Sequence, residues 1–447
     1  MQLSMQTRAR IDLLEANRTP LQESRPLSID LPSYTDVTRE RLRNVIVSNI
    51  WWEDRLDARR VFRPTMDRHG PGSHLSMPLS ASWMSSGPQA DGKDTNVVAF
   101  PTGVDRTFVD FMERLGVLGR HTFVDFYKLG QLSRESGKLL YSVDDLPSAW
   151  DAVAINRSET HRLINTKKFL RPLSAWAAPY ETVDLTRTTP DDFTRVGGGG
   201  RVYVKLNNTE NTGDGVRPVD SVEQYVALVA ELRAHATKHN LDTEICLQTH
   251  IQGRNHSFQY VMRPGDTRLG LIALSNQRVE ADGVTYAGNE NLPLTPDILT
   301  PEIAAVMTDM AARIRRIDPQ AFGCVMCDYF TTEDGRTLTF DPGLRPTGNT
   351  ATALARMFIE EQTGKSPLVS EFFFVPTTPA ERDFSATVSP LGDRTTVDSL
   401  EKRGYGVLPW GYNQYAGRGP WIAVGMTQAK LREAVDDATG ILKAAHG

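Results

Sequence analysis

Apolar residues in this chain fall into short runs separated by polar, glycine- and proline-containing stretches, and the period within each run separates strands from helices. Val45-Ile46-Val47, followed by Trp51-Trp52, and Val97-Val98-Ala99-Phe100 read as strands, and 108–118 has helical spacing; together they predict a small α/β unit. Residues 158–170 predict a helix that stops at Arg171-Pro172, because the residue before a proline is driven out of the helical region. Four glycines, 197–200, lead into a strand at 201–206, a polar glycine-containing loop at 207–215 and a helix from 221 to about 238. Strands at 244–248 and 257–262, separated by 249–256, are followed by a strand at 269–274 and a helix at Pro301–Ile317. From about Ser366, proline and glycine clusters and the aromatics Tyr405, Trp410, Tyr412, Tyr415 and Trp421 precede a closing helix at 427–445. The polar, proline-punctuated stretch 4–38 predicts an extension rather than a core element, and 70–92 a surface loop rich in Gly, Ser and Pro. The implied organisation is an extension at 1–38, an α/β domain at 39–150, an α+β core at 151–365 and an aromatic-rich segment at 366–447 packing on that core. No fixed-period repeat is present.

A chain of 447 residues has room for two or three domains, and 40% hydrophobic with 23% charged residues supports an ordinary buried core. A net charge of -5 without a long basic run gives no electrostatic footprint for nucleic acid. Three cysteines, Cys246, Cys324 and Cys327, each lie in an apolar strand-like run, which predicts buried thiols and a reducing, cytoplasmic compartment. Residues 1–15 lack an apolar core with a cleavage site, and no run reaches the ~18 apolar residues that span a bilayer, so neither export nor a membrane is expected.

The densest chemistry lies at Gly323–Phe330, a tight turn, and Arg336–Arg345, read as a hairpin carrying Asp328 and Asp341. A two-residue turn at Asp334-Gly335 puts the aspartates directly opposite, and a four-residue turn at 332–335 puts them diagonal. In either register the period of two places both carboxylates on one face. Like charges that close are unfavourable unless one is protonated or a cation lies between them. Oxygen ligands favour magnesium, and Arg345 beyond the second carboxylate suits phosphate oxygens, which outlines a phosphoryl-transfer site. A surface hairpin with two solvated aspartates is the alternative.

Other signals do not extend to a site. Cys324 and Cys327 have CxxC spacing but, three apart in a strand, point to opposite faces, and no second pair completes a zinc site. His235 and His239 share a helix face, yet Ala236 stands where a zinc protease carries glutamate. Gly137-Lys138 lacks the rest of a phosphate loop, and the 197–200 glycines precede a strand rather than a helix, unlike a dinucleotide fingerprint.

The order lysine, glycine loop, paired strands and carboxylate hairpin with trailing arginine resembles the ATP-grasp superfamily of carboxylate-amine ligases over roughly residues 152–358. That resemblance implies an α+β fold whose two subdomains clamp ATP, preceded by the small α/β domain, with ATP and Mg2+ as cofactors. Lys167-Lys168 resembles the lysine that reaches the nucleotide phosphates, with Lys168 preferred, and Lys205 resembles the second lysine. The loop containing Asn207, Gly213 and Gly215 would close over the triphosphate. Gln248, Thr249 and Ile251 resemble the hinge that reads adenine, and Asn255 the ribose contact, although the family commonly has glutamate at positions 248 and 255. Asp328 and Asp341 resemble the metal ligands and Arg345 the catalytic arginine. Asp341 replaces glutamate and Gly343 the metal-binding asparagine, so Asn349 or water would supply the missing oxygen. Arg278 is a candidate for a substrate carboxylate, against the alternative of a strand-end arginine in water.

The whole-chain arrangement resembles peptide ligases of the pheganomycin-biosynthesis type, which join an amino-acid-derived carboxylate to the amino terminus of a peptide. The implied partners are a small-molecule carboxylate and a peptide amine; the length of that peptide and a homodimer stay open. Ligation of two free amino acids, or a nucleotide-binding scaffold without turnover, are the alternatives.

Overall fold

The computed structural model describes residues 26–42, 45–48, 81–85, 96–102, 104–125, 128–142, 148–173, 175–206, 216–239, 243–279, 286–376, 384–411 and 418–446. After the short strand β1 (Ser28–Asp30), four parallel strands build the first sheet: β2 (Val45–Ser48), β3 (Val97–Pro101), β4 (His121–Val124) and β5 (Leu139–Ser142), in the order β4-β3-β2-β5. A parallel sheet is covered on both faces, so its strands are continuous apolar runs rather than alternating ones. Val45 and Val47 accordingly enter one core cluster and Ile46 another. Helices α1 (Arg106–Arg114) and α2 (Leu129–Ser136) belong to this unit, α1 starting where the Asp105 carboxylate accepts the Thr107 N–H at 2.8 Å.

Two expectations for the N-terminal third change. The described end of the 1–38 extension is structural: β1 pairs in parallel with a strand of the largest sheet, Tyr34 and Val37 are buried, and the Asp30 carboxylate accepts hydrogen bonds of 2.8 and 2.6 Å from Arg41. Within the 70–92 stretch, Ala81–Met84 forms a buried 3-10 turn, and the Trp83 indole donates to the Pro409 carbonyl at 3.1 Å. The rest of that stretch, except Ser85, and Trp51-Trp52 lie outside the described residues.

Helix α3 (Ser158–Ile164) ends earlier than its periodicity suggests, and Lys167–Leu173 continues as a 3-10 turn. Asn165 leaves the helix and its Oδ1 accepts the N–H of Leu344 at 2.8 Å, a long-range bond that competes with another helical turn. A second, antiparallel sheet follows, β6 (Tyr180–Asp184), β7 (Val202–Leu206), β8 (Val216–Val219) and β9 (Glu244–Thr249), ordered β6-β9-β7-β8. Helices α4 (Pro190–Gly197) and α5 (Val222–His239) cover one face, packing Phe193, Tyr225 and Leu232 on Val202, Val204 and Leu247. Strand alternation then turns Tyr203 and Lys205 to the other face. His235 and His239 lie on α5, but their side chains are outside the described residues.

The remaining strands form a nine-stranded sheet with β1: β10 (Gly253–Met262), β11 (Arg268–Val279), β12 (Tyr286–Asn291), β13 (Gly323–Thr332), β14 (Thr337–Gly343), β15 (Val369–Pro376), β16 (Tyr405–Pro409) and β17 (Arg418–Gly425). The order is β14-β13-β10-β11-β12-β15-β17-β16. Helix α6 (Pro301–Ile317) covers one face, burying Val306, Met310 and Ile314 with Phe258, Leu271 and Val325. Helix α7 (Gly348–Thr363) and the first unit cover the opposite, front face, with Leu354 and Phe358 in a cluster that includes Val98 and Phe372. Cys324 and Cys327 enter these two different clusters as free, buried thiols, as their spacing requires.

Within 366–447, β15, β16 and β17 continue the large sheet, and helix α8 (Gln428–His446) covers them with Leu431, Ala434 and Leu442. Tyr405, Trp410 and Trp421 are core residues, whereas Tyr412 and Tyr415 lie outside the described residues.

Asn156 stitches the start of β13 to the preceding segment: its Nδ2 donates to the Phe322 carbonyl at 2.8 Å and its Oδ1 accepts the Phe322 N–H at 2.9 Å, both buried. Asn156→Ala leaves two main-chain groups unsatisfied and is expected to cost about 2–3 kcal/mol in urea unfolding with an unchanged slope; a loss below ~0.5 kcal/mol contradicts this role.

Candidate functional site

The aspartate hairpin forms by a third route. Its loop has three residues, 333–335: the Thr332 N–H donates to the Arg336 carbonyl at 3.0 Å, and Gly335 takes the left-handed φ of 81° that closes such a loop. Continued regularly, that register would set Asp328 against Phe340. A bulge between Asp328 and Tyr329 makes Phe340 the extra residue and brings Asp328 opposite Asp341. Both carboxylates therefore share the front face, in agreement with the expectation but not with either turn that suggested it.

The neighbouring rungs bound the pair. On one side Met326 faces Gly343, where a Cβ would lie 3.1 Å from the Met326 sulfur, so a side chain at 343 would require the flexible methionine to shift by a few tenths of an ångström. On the other side the Phe330 and Phe340 rings stack at 4.4 Å, and Lys205 Nζ lies 4.8 Å from the Phe340 centroid. Across the sheet Asp328 is opposite Ser257, Ser257 opposite Ser275, and Ser275 opposite Asn291, a polar ladder on the front face.

Asp328 is 8% exposed. Gln277 Nε2 donates to its Oδ2 at 3.1 Å, while Oδ1 has no hydrogen-bond partner among the described residues. Burial first, and the Asp341 charge second, push its carboxyl up to about 7, partly offset by Gln277, Ser257 and Lys167. Asp341 is more open, its side chain 34% exposed, and its Oδ1 accepts from Lys167 Nζ at 2.7 Å. Lys205 is buried, and its ammonium is lowered to about 8 by burial and then by the Lys167 charge. Two carboxylates and two ammonium groups thus converge between the two antiparallel sheets.

The other expected residues sort by position. Lys168, preferred from the sequence, pairs with Glu244 on β9, and the adjacent Lys167 is the one on the carboxylates, its carbonyl accepting from the Tyr180 hydroxyl at 2.9 Å. Gln248 and Thr249 close β9 in the small sheet, and 250–252, including Ile251, cross to β10 in the large one, so the chain changes sheets at the expected hinge. Asn255 faces the front with Ser257, its Oδ1 buried without a hydrogen-bond partner among the described residues. Arg345 is half-buried beyond Asp341, one residue after Leu344, whose N–H Asn165 holds. Asn207, Gly213 and Gly215 lie outside the described residues.

Arg278 does not join the carboxylates. Strand alternation sends Gln277 to the front and Arg278 to the reverse face, where it pairs with Glu371, whose side chain is 1% exposed, and approaches Glu290 at 3.7 Å. Its side chain is 44% exposed, so the strand-end arginine in water describes it, with an ion pair to Glu371 added. Asn349 Nδ2 donates to Ser275 Oγ at 3.1 Å, two strands from Asp328, and its Oδ1 is buried without a hydrogen-bond partner among the described residues. Gln277 escaped the sequence reading; the signal was its place two residues beyond Ser275, on the same face as the ladder.

Among the described residues no group of three or more His, Cys, Asp or Glu side chains converges as a metal cluster, and no helix is long and apolar enough to cross a membrane. The Asp328–Asp341 pair nevertheless fits a hard divalent cation, because its like charges are pressed together and Asp328 Oδ1 is left open.

No protein-family model matches the chain, and no curated protein matches it in sequence. Solved structures do. N5-carboxyaminoimidazole synthetase from Staphylococcus aureus, complexed with ADP, superposes with a TM-score of 0.54 at 11% identity, covering 83% of this chain and 95% of that one. The biotin carboxylase domain of 2-oxoglutarate carboxylase from Hydrogenobacter thermophilus, a dimer in complex with MgADP, ADP and bicarbonate, gives 0.52 at 11% identity, covering 78% and 88%. N5-carboxyaminoimidazole ribonucleotide synthetase from Thermus thermophilus gives 0.50 at 12% identity, covering 79% and 92%. At such identities the likeness concerns the fold, and the chain has the multidomain ATP-grasp fold that its motif order resembles.

Metal-free, the folded protein holds a proton on Asp328 that the unfolded chain releases, so this group's contribution to stability is lost as pH rises from about 4 to about 7. Asp328→Asn removes the buried like charge and is expected to stabilise the chelator-treated protein by about 1–3 kcal/mol at pH 8, with little effect at pH 4. Thermal melts at the two pH values check this; equal melts at pH 8 contradict it.

Proposed function

We propose that the protein is an ATP-dependent carboxylate-amine ligase that forms an amide bond through an acyl phosphate, joining an amino-acid-derived carboxylate to the amino terminus of a peptide. The observation that carries the reading is the convergence of Asp328, Asp341, Lys167 and Lys205 where the small and large sheets meet. Structural neighbours crystallised with ADP and MgADP support the choice of nucleotide. The peptide acceptor rests on the resemblance of the whole-chain arrangement, an α/β unit fused ahead of the clamp.

Lys167 and Lys205 are assigned to the phosphate oxygens, and Arg345 to the charge that develops on the transferring group. Gln248, Thr249 and Ile251 at the sheet crossing are assigned to adenine, and Asn255 to the ribose. Asp328 and Asp341 would hold Mg2+, with Asn349 or water completing the oxygen set; the bound ion supplies neutralisation of β- and γ-phosphate charge. Gln277 orients the Asp328 carboxylate by occupying Oδ2 and leaving Oδ1 open. The stacked Phe330 and Phe340 rings exclude water from one flank of the cluster. Together these groups position reactants and stabilise charge, leaving the covalent steps to nucleotide, acid and amine.

ADP release is expected to require both a carboxylate and a peptide amine. Full rates with free amino acids as acceptors move the reading to an amino-acid ligase, and tight ATP binding without turnover makes the chain a scaffold. Asp341→Ala is expected to lower turnover at least ~1,000-fold with an unchanged circular dichroism spectrum; an active, magnesium-dependent variant contradicts the metal site. Lys167→Met should cost at least ~100-fold and Lys168→Met less than ~5-fold in kcat/KM, and the reverse ranking contradicts the assignment of Lys167.

A further inference from the structure

One oxygen of the Asp341 carboxylate is held by a cation of the chain itself. Lys167 Nζ lies 2.7 Å from Asp341 Oδ1 with a side chain only 4% exposed. Its backbone is fixed as well, at the start of the 3-10 turn Lys167–Leu173 and through the Tyr180 hydroxyl on its carbonyl. An ammonium on one oxygen of a carboxylate weakens the binding of a divalent ion to that carboxylate, since the repulsion of the two cations a few ångströms apart exceeds thermal energy several-fold even at the dielectric of a protein surface. Lys205 adds a second buried positive charge that Lys167 already opposes. Two crowded ammonium groups are relieved by a polyanion, not by another cation.

We infer that Lys167 is a built-in competitor for the divalent ion: it holds Asp341 until a polyphosphate draws the ammonium away, so that the metal enters with the nucleotide and not before it. The inference rests on the assignment of Asp328 and Asp341 to a divalent ion. It makes Lys167 a positioning residue with opposite effects on two ligands, favouring nucleotide and opposing free metal. A lysine that served only to hold the fold has no such opposed signature.

The test is a Mn2+ titration of the full chain without nucleotide, with free ion followed by electron paramagnetic resonance. Lys167→Met is expected to bind Mn2+ at least ~10-fold more tightly than wild type, Lys167→Arg to bind like wild type, and Lys167→Met combined with Asp341→Asn to lose the gain. Affinity of Lys167→Met equal to or weaker than wild type overturns the inference, and Lys167→Gln supplies the same comparison if the methionine variant does not fold. If Lys167→Met shows the gain in Mn2+ affinity while the wild-type protein shows no carboxylate- and amine-dependent ADP release, the competition is supported and the ligase reading alone is overturned.

Discussion

Two carboxylates forced together in a poorly solvated place are the constraint from which the rest of the site follows. Asp328 and Asp341 are set opposite each other by a three-residue loop and one bulged residue, and the carboxyl of Asp328 rises to about 7 because burial and its neighbour both oppose its charge. Such an arrangement is costly for folding and is relieved by a proton on Asp328 or by compensating positive charge. Lys167 supplies that charge from the segment after α3, and Lys205 reaches the same region from the small sheet. The groups that make the pair tolerable are the ones that suit a metal-bound polyphosphate.

The large sheet shows how a polar site is kept beside a packed core. Its reverse face carries Phe258, Leu271 and Val325 into α6, so burial there stabilises the sheet. Its front face carries Asp328, Ser257, Ser275 and Asn291 in register across four strands. Helix α7 satisfies part of that ladder: Thr350 donates to Gln259 Oε1 at 2.7 Å, and Asn349 donates to Ser275. On the same face the Oδ1 atoms of Asp328, Asn255, Asn349 and Asn291 are buried acceptors without hydrogen-bond partners among the described residues, open to a ligand with donor groups or positive charge.

Much of this was legible in the sequence. The helix at Pro301–Ile317, the strands around Val97 and Glu244, and the shared face of the two aspartates follow from periodicity, which burial enforces residue by residue. Less legible were features set by contacts distant in sequence. The bulge at Phe340 cannot be read from a pattern of two, and the choice between Lys167 and Lys168 depends on the direction of a 3-10 turn that Asn165 and Leu344 fix together. Strand β1 is only three residues, Ser28-Ile29-Asp30, two of them polar, and its pairing with β11 makes it part of the sheet. Trp83 sits among turn-forming residues, yet its indole reaches Pro409, a partner invisible to local composition.

A crystal structure of the full chain with Mn2+ and a non-hydrolysable ATP analogue bears most directly on the central claim, because anomalous scattering locates the metal independently of the nucleotide. The account predicts a metal peak between Asp328 and Asp341, in contact with phosphate oxygens and with Lys167 moved from Asp341 onto the phosphates. A nucleotide bound elsewhere, or a metal peak away from both carboxylates, contradicts it.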